Sequence, residues 1–182
     1  MNTKNVKWMS LSAMGLSAMG LSAMGLAALL ALAASLHSAD AAPRDAMAER
    51  LQRLEDREQI VELLNAYGAT LDRRDFAAFG QLFAEDAAYG SEKAPTRGRA
   101  AIQAMLEKTL AANPSNLPGP NSHLYFNPSI HVEGDRATVQ SKGAYTVPDA
   151  ATKTTQLVFF ISYDDTLIRR DGRWLFQQRF LK

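Results

Sequence analysis

The chain of 182 residues contains no cysteine and only three histidines. Without thiols it forms no disulfides, so its fold must be held by a hydrophobic core, which about 140 residues are enough to build. No two histidines have the spacing of zinc ligands, and a catalytic zinc site is therefore not expected. A nucleophile elbow, a glycine-rich phosphate loop and a dinucleotide fingerprint are also missing. The sequence predicts chemistry without a cofactor, or no chemistry.

Long apolar runs are confined to the N-terminus. Two lysines, Lys4 and Lys7, precede an uncharged stretch from Leu11 to Leu36, and the small residues Ala39 and Ala41 follow it. This order is typical of an export signal. It predicts a signal peptide over residues 1–41, one domain over residues 42–182, and a location in the periplasm or outside the cell.

An uncleaved membrane anchor is the alternative interpretation of the same segment. Its strongly apolar part, Leu26 to Leu36, is too short to span a bilayer, because a spanning helix needs about 20 residues. We therefore expect cleavage near Ala41 and no stable membrane insertion of the mature protein.

Charge of one sign does not dominate the mature chain. Removing Lys4, Lys7 and Asp40 from the 20 basic and 19 acidic residues leaves 18 of each. A nucleic-acid-binding domain normally carries an excess of basic residues on one face. The balance therefore argues against a nucleic-acid partner.

Hydrophobic periodicity predicts three helices and then a sheet. The predicted helices cover residues 43–74, 75–83 and 99–111, with a short strand over 87–90, a loop over 113–120, and long strands over 122–132, 136–147, 154–170 and 174–181. Pro128 marks a bulge or a bend in the first long strand. The apolar run Leu157–Ile161 predicts a central strand. This order predicts an α+β fold in which helices cover one face of a curved antiparallel sheet and leave a pocket.

Two histidines lie on the first long strand. His123 shares one side of it with Tyr125 and Asn127, because side chains alternate with a period of two. Such a polar stripe lines a wet pocket or faces solvent. His131 alternates with Glu133 directly before a turn, which indicates an exposed pair.

Three more polar residues occupy positions that pattern alone does not decide. Asp72 lies near the C-terminus of the first helix, in line with its packing face, where a carboxylate opposes the helix dipole, so pattern alone favours a solvent-facing residue. Tyr67 lies five residues earlier, about 140° away round an ideal helix. Arg179 lies on the last strand, where an arginine is usually solvated.

These segments resemble SnoaL-like proteins of the nuclear transport factor 2-like superfamily. The resemblance rests on Glu55–Ile60, on Tyr67 with Leu71–Phe76, on His123–Pro128, and on Tyr163–Asp165 followed by Arg170–Trp174. It covers nearly all of the mature chain in order. It implies a cone-shaped α+β domain that encloses a pocket.

Within that superfamily the site pattern is similar to the dehydratase and dehydrochlorinase branch. The resemblance implies that Asp72 and His123 form an acid–base pair and that Tyr67 and Arg179 assist it. Tyr125 and Asn127, which alternate with His123 on one side of the strand, are the predicted substrate contacts. The second histidine of scytalone dehydratase has no counterpart on the next strand. The extra acid of the bile-acid dehydratases is also missing, with Thr146 near its place.

Three functions follow as expectations. The first is a lyase or isomerase without cofactor, acting on a small and partly apolar molecule. The second is a non-catalytic protein that binds a small molecule in the same pocket. The third is an interaction module whose open sheet face forms a homodimer or homotrimer.

Overall fold

The computed structural model describes residues 23–112, 121–149 and 151–182, with side chains from Arg44 onward. The predicted loop over 113–120 and the first half of the predicted signal peptide lie outside these residues. The chain forms two compact units, Met1–Met47 and Ala48–Lys182. Within the described parts of the chain, no helix is long and apolar enough to cross a membrane.

Helix α1 runs from Ala23 to Asp72. It begins well before the predicted start near residue 43, because the preceding segment is rich in alanine and leucine, which are strong helix formers. Side chains from Arg44 to Glu55 are exposed. Burial then recurs at Ile60, Leu64, Tyr67 and Leu71, which is the spacing of one helix face.

Two further helices follow. Helix α2, Phe76–Gly80, begins at the predicted cap, where the Asp75 carboxylate accepts a hydrogen bond from the Ala78 amide at 3.0 Å. Helix α3 spans Arg99–Ala112. Phe79 of α2 and Ile102 of α3 are both fully buried in the same core.

A curved sheet of six strands covers this core. The strands are β1 (Phe83–Ser91), β2 (Ala94–Arg97), β3 (Ser122–Glu133), β4 (Arg136–Asp149), β5 (Thr154–Arg170) and β6 (Arg173–Leu181), arranged in the order β2-β1-β6-β5-β4-β3. The predicted α+β class is confirmed. The pair β1–β6 is parallel, however, whereas every other pair is antiparallel, and β2 was not predicted. Pairing of β1 with a strand 90 residues later leaves no local sequence signal.

The predicted irregularity at Pro128 is a β-bulge. The register between β3 and β4 shifts between Phe126 and Ser129, and Asn127 adopts a left-handed backbone with a φ of 54°. Asparagine tolerates this conformation better than most residues.

One buried acid ties α1 to the far end of the sheet. Asp56 is 2% exposed, and its Oδ1 accepts hydrogen bonds from the Gln52 amide, the Trp174 indole and the Arg169 guanidinium. Arg169 also stacks over the Trp174 ring and donates to Asp135. A buried carboxylate is tolerated because three donors replace its hydration.

The first half of β5 differs from the prediction. β5 does lie inside the sheet, but β6 pairs with it only from Tyr163 onward, so residues Thr154–Ile161 have β4 as their strand partner on one side alone among the described residues. We call this segment the apolar edge. Leu157, Val158, Phe159 and Phe160 on it are exposed, at 48%, 38%, 45% and 67%.

Candidate active site

The site begins where helix α1 ends. The Asp75 amide bonds to the Thr70 carbonyl and the Arg74 amide to the Leu71 carbonyl, which is the pattern of a Schellman motif. Glycine usually occupies the left-handed position of this motif, but here it is Arg74, with a φ of 59°. The Arg74 guanidinium donates to the Leu71 carbonyl at 2.7 Å and to the Asn121 side chain at 3.0 Å. A strained backbone of this kind persists where the surroundings hold it, as at functional sites.

Asp72, the last residue of α1, holds the start of β3. Its Oδ1 lies 2.6 Å from the Nδ1 of His123 and accepts from the Asn121 amide at 2.7 Å, and its Oδ2 accepts from the His123 backbone amide at 2.9 Å. The side chain of Asp72 is 22% exposed and that of His123 is 12% exposed. An ionised Asp72 requires a proton on Nδ1, so the lone pair of His123 lies on Nε2.

A glycine lets the helix and the strand approach this closely. A Cβ atom on Gly68 would lie 2.9 Å from the Cβ of His123 and 2.9 Å from Cε2 of Tyr125. Real Cβ atoms do not approach other heavy atoms that closely, so any larger residue pushes α1 and β3 apart. Gly68 therefore sets the distance at which Asp72 reaches His123.

A cavity of about 260 Å³ opens beside His123. Most of its wall is apolar or aromatic, and hydroxyl groups and two basic side chains complete it: Tyr67, Leu71, Arg74, Tyr89, Leu106, Thr109, Leu110, His123, Tyr145, Phe159, Ile161, Tyr163 and Leu181. The Tyr145 ring lies edge-on to the His123 ring, with centroids 4.9 Å apart. Such a wall suits a compact, mainly apolar ligand, with a base on one side.

Two tyrosine hydroxyls lie in the cavity wall as a pair. The Oη atoms of Tyr67 and Tyr89 are 2.6 Å apart, and both residues are buried. Burial, together with the neighbouring phenols, raises the pKa of Tyr67 well above its ordinary value. Burial also raises the pKa of Tyr89 to about 12, although the hydrogen bond from Tyr67 opposes the shift. Both phenols are therefore neutral, and the one that accepts the hydrogen bond between them keeps its own O–H for another acceptor.

The structure places Arg179 behind this wall. It is fully buried, it is not one of the residues that line the cavity, and its guanidinium donates to Asp165 Oδ2 at 2.8 Å. The guanidinium carbon lies 4.1 Å from the centre of the Tyr67 ring and 3.8 Å from that of Tyr163. Arg179 is thus close to the cavity but separated from it by aromatic rings.

The two predicted substrate contacts, Tyr125 and Asn127, lie in different places. Tyr125 lies beneath the cavity, edge-on to Tyr67 at 5.8 Å, and its hydroxyl has no hydrogen-bond partner among the described residues. Asn127 lies farther along β3 and does not line this cavity but a separate groove, together with Ser129 and Lys142. His131 forms the expected exposed pair with Glu133, at 3.0 Å.

Four site residues were not identified from the sequence. Asn121 directly precedes the predicted strand, Tyr89 lay in a short strand candidate, and Arg74 and Asp165 were noted only within the segments that carry the family resemblance. Only Tyr89 carried a usable signal, since a tyrosine in a predicted core strand needs a partner for its hydroxyl.

The SnoaL-like domain family matches residues 52–179. The match covers most of the chain and the whole of the site, so the chain belongs to this family, and the resemblance seen in the sequence is confirmed. No curated protein matches the chain.

Solved structures agree on the fold. Rv3472 of Mycobacterium tuberculosis, a protein of unknown function, has a TM-score of 0.62 at 25% identity over 72% of this chain and 73% of its own. A nuclear transport factor 2-like protein with a cystatin-like fold from Novosphingobium aromaticivorans has a TM-score of 0.61 at 29% identity, over 74% and 86%. A candidate scytalone dehydratase from the same organism has a TM-score of 0.58 at 23% identity, over 71% and 85%.

Replacing Gly68 by alanine tests whether its close approach sets the spacing of α1 and β3. Gly68→Ala is expected to lower the free energy of unfolding by about 1–3 kcal/mol, because overpacking outweighs a helix-propensity gain of about 1 kcal/mol. Urea denaturation followed by circular dichroism measures this free energy of unfolding. Asn65→Ala, at an exposed position of the same helix, is the control and should lose no stability. Equal stability of the two variants would contradict the spacing role.

Proposed function

We propose that this domain is a cofactor-independent lyase or isomerase acting on a small, partly apolar molecule. The observation that carries the proposal is the 2.6 Å contact between Asp72 and His123 at the wall of an apolar cavity. Asp72 accepts a hydrogen bond from Nδ1 of His123 and so fixes its tautomer, which leaves the lone pair on Nε2, where it can act as a general base. The family match and a neighbour named as a candidate dehydratase are compatible with this role.

The reaction follows from the positions of these groups. Nε2 of His123 removes a proton from a carbon beside a carbonyl, and the electron pair moves onto the carbonyl oxygen. The Tyr67–Tyr89 hydroxyl pair donates to that oxygen as its negative charge develops. When the charge collapses back, a leaving group departs from the next carbon and takes the proton from His123, or the proton returns to another carbon. The first course is a dehydration or a related elimination and the second an isomerisation.

General-base help of this kind contributes roughly 10²–10⁴ in rate, and charge stabilisation by the hydroxyl pair adds to it. Arg179 contributes from behind the rings rather than by contact, since it does not line the cavity. Export through the segment at residues 1–41 is part of the same proposal, because a periplasmic enzyme is best served by chemistry that needs no nucleotide cofactor.

The tautomer of His123 tests the base. In ¹⁵N-labelled wild-type protein, the imidazole shifts of His123 should report a proton on Nδ1 and a bare Nε2. Asp72→Asn should reverse this assignment, because an amide that donates to Nδ1 moves the proton to Nε2 and removes the base. His131, which is exposed and does not contact Asp72, is the internal control. If His123 has the same tautomer mixture as His131 in both proteins, the base is not held by Asp72 and the proposal fails.

A non-catalytic binding protein is the second candidate, favoured by the mainly apolar wall of the cavity. The two functions differ in what the acid–base pair does to a ligand. Native mass spectrometry of the protein as purified should detect a co-purifying molecule if the domain is a binder, and Asp72→Asn and His123→Ala should leave its occupancy intact. If these variants instead retain an oxygenated precursor that the wild type releases, the domain is an enzyme.

We also propose that the apolar edge pairs with the same edge of a second copy of the chain. Residues Thr154–Ile161 carry no charge and no proline, which are the usual protections of an exposed strand edge. An antiparallel edge without charge is self-complementary, so a second copy fits it under a two-fold axis. The rim of the cavity at Phe159 would then be covered in the dimer.

Phe160, at 67% exposure, tests the dimer. Phe160→Lys should shift the wild-type dimer towards monomer in light scattering coupled to size exclusion, because it places a charge in the paired edge. Leu54→Lys, at a site of 59% exposure on α1, is the matched control and should leave the mass unchanged. A wild-type monomer, or a dimer that both variants retain, would overturn the pairing.

A further inference from the structure

A buried ion pair lies under the tyrosines, and the acid–base reaction does not use it directly. The side chains of Asp165 and Arg179 are both fully buried, on the neighbouring strands β5 and β6. Such a pair loses hydration that its mutual attraction only partly replaces, so it is weak evidence for stability. Arg179 Nε, Arg179 NH2 and Asp165 Oδ1 also have no hydrogen-bond partner among the described residues. Its presence calls for a role other than stabilising the core.

Aromatic faces surround the cation in place of hydrogen-bond acceptors. The guanidinium carbon lies 3.8 Å from the ring centre of Tyr163, 4.1 Å from Tyr67, 4.7 Å from Phe176 and 5.3 Å from Tyr125. Two of these rings, Tyr67 and Tyr163, are also part of the cavity wall. A positive charge is therefore held within 4.1 Å of the centres of two rings that line the cavity.

We propose that Arg179 and Asp165 are positioning residues that set how strongly the Tyr67–Tyr89 hydroxyl pair donates to a ligand oxygen. A cation next to a phenol stabilises negative charge on the phenol oxygen and so makes its O–H a stronger donor. Asp165 limits this effect by neutralising part of the charge, and its Oδ2 accepts a hydrogen bond from the guanidinium at 2.8 Å, which holds the cation beside the rings. The ligand would accordingly carry a carbonyl or an enolisable oxygen at its tyrosine end.

The electrostatics of the pair agree with this arrangement. Arg179 lowers the pKa of Tyr67 and of Tyr89 against the larger, raising effect of burial, and Asp165 raises that of Tyr89. Burial raises the pKa of Asp165 itself to about 7, although Arg179 opposes the shift. The titratable groups that surround the cation come from four elements: Tyr67 of α1, Tyr89 of β1, Tyr125 of β3, and Tyr163, Asp164 and Asp165 of β5.

The consequence for catalysis rests on the proposed function, but the coupling between the charges and the phenols does not. It can be measured in the full chain labelled with 3-fluorotyrosine, whose phenol is more acidic than that of tyrosine and therefore titrates at lower pH. The five tyrosines give five ¹⁹F resonances, and single Tyr→Phe variants assign them. Tyr145 has no contact with the guanidinium and serves as the control ring.

Two variants separate the charges. Asp165→Asn leaves the cation uncompensated, so the titration midpoints of Tyr67 and Tyr89 should fall by at least one pH unit, a tenfold change in acidity. Asp165→Asn combined with Arg179→Met removes both charges from the core and keeps its volume, and the midpoints should rise above those of Asp165→Asn. Tyr145 should not move in either variant.

A purely structural role of the pair predicts a different result. The variants would then lower stability, and either no tyrosine or all five would shift together. Equal midpoints for Tyr67 in Asp165→Asn and in the double variant would overturn the proposal. Failure of the His123 tautomer test with the expected tyrosine shifts would instead remove the reaction and leave the coupling in place.

Discussion

The Asp72 carboxylate closes the end of helix α1 against the start of strand β3 through bonds from the Asn121 side chain, the His123 amide and the His123 ring. A carboxylate at a helix C-terminus opposes the helix dipole, and partial burial adds to that cost. Three donors, one on Asn121 directly before β3 and two on His123 of β3, offset both effects. The acid is therefore tolerable only in the folded arrangement that also holds the histidine, so the local structure of the site and the packing of helix on sheet depend on each other.

The cavity arranges polarity in layers. Its wall facing the ligand is apolar except for His123, Arg74 and a few hydroxyl groups, the next layer is a set of phenol rings, and the deepest layer is the buried pair of Asp165 and Arg179. Water and ions screen charges over about 8 Å at physiological salt, but they cannot enter this layer. The part of the Arg179 charge that Asp165 leaves uncompensated consequently acts on the cavity with little screening.

Features that depend on neighbouring residues in the sequence were predictable, whereas contacts that depend on long-range strand pairing were not. Alternation on β3 placed His123 and Tyr125 on one face, and the bulge at Pro128 followed from the chemistry of proline. The burial of Asp165 was not predicted, because it depends on the register of β5 with β6, which brings Asp165 opposite Arg179. The hydroxyl of Tyr89 reaches that of Tyr67 because β1 pairs in parallel with β6, and no local pattern specifies that pairing.

Arg179 illustrates why a residue type does not fix a role. The sequence pattern predicted a solvated residue at the sheet edge, and the family resemblance implied a group that stabilises charge on the substrate. The structure places it in neither position, since it is fully buried yet separated from the cavity by the ring of Tyr67. A charge about 4 Å behind a phenol still polarises it, because in a medium of low dielectric the interaction is several times stronger than in water. Contact with a ligand is thus not required for Arg179 to influence it, and the tyrosine pair becomes the surface through which the buried charge acts.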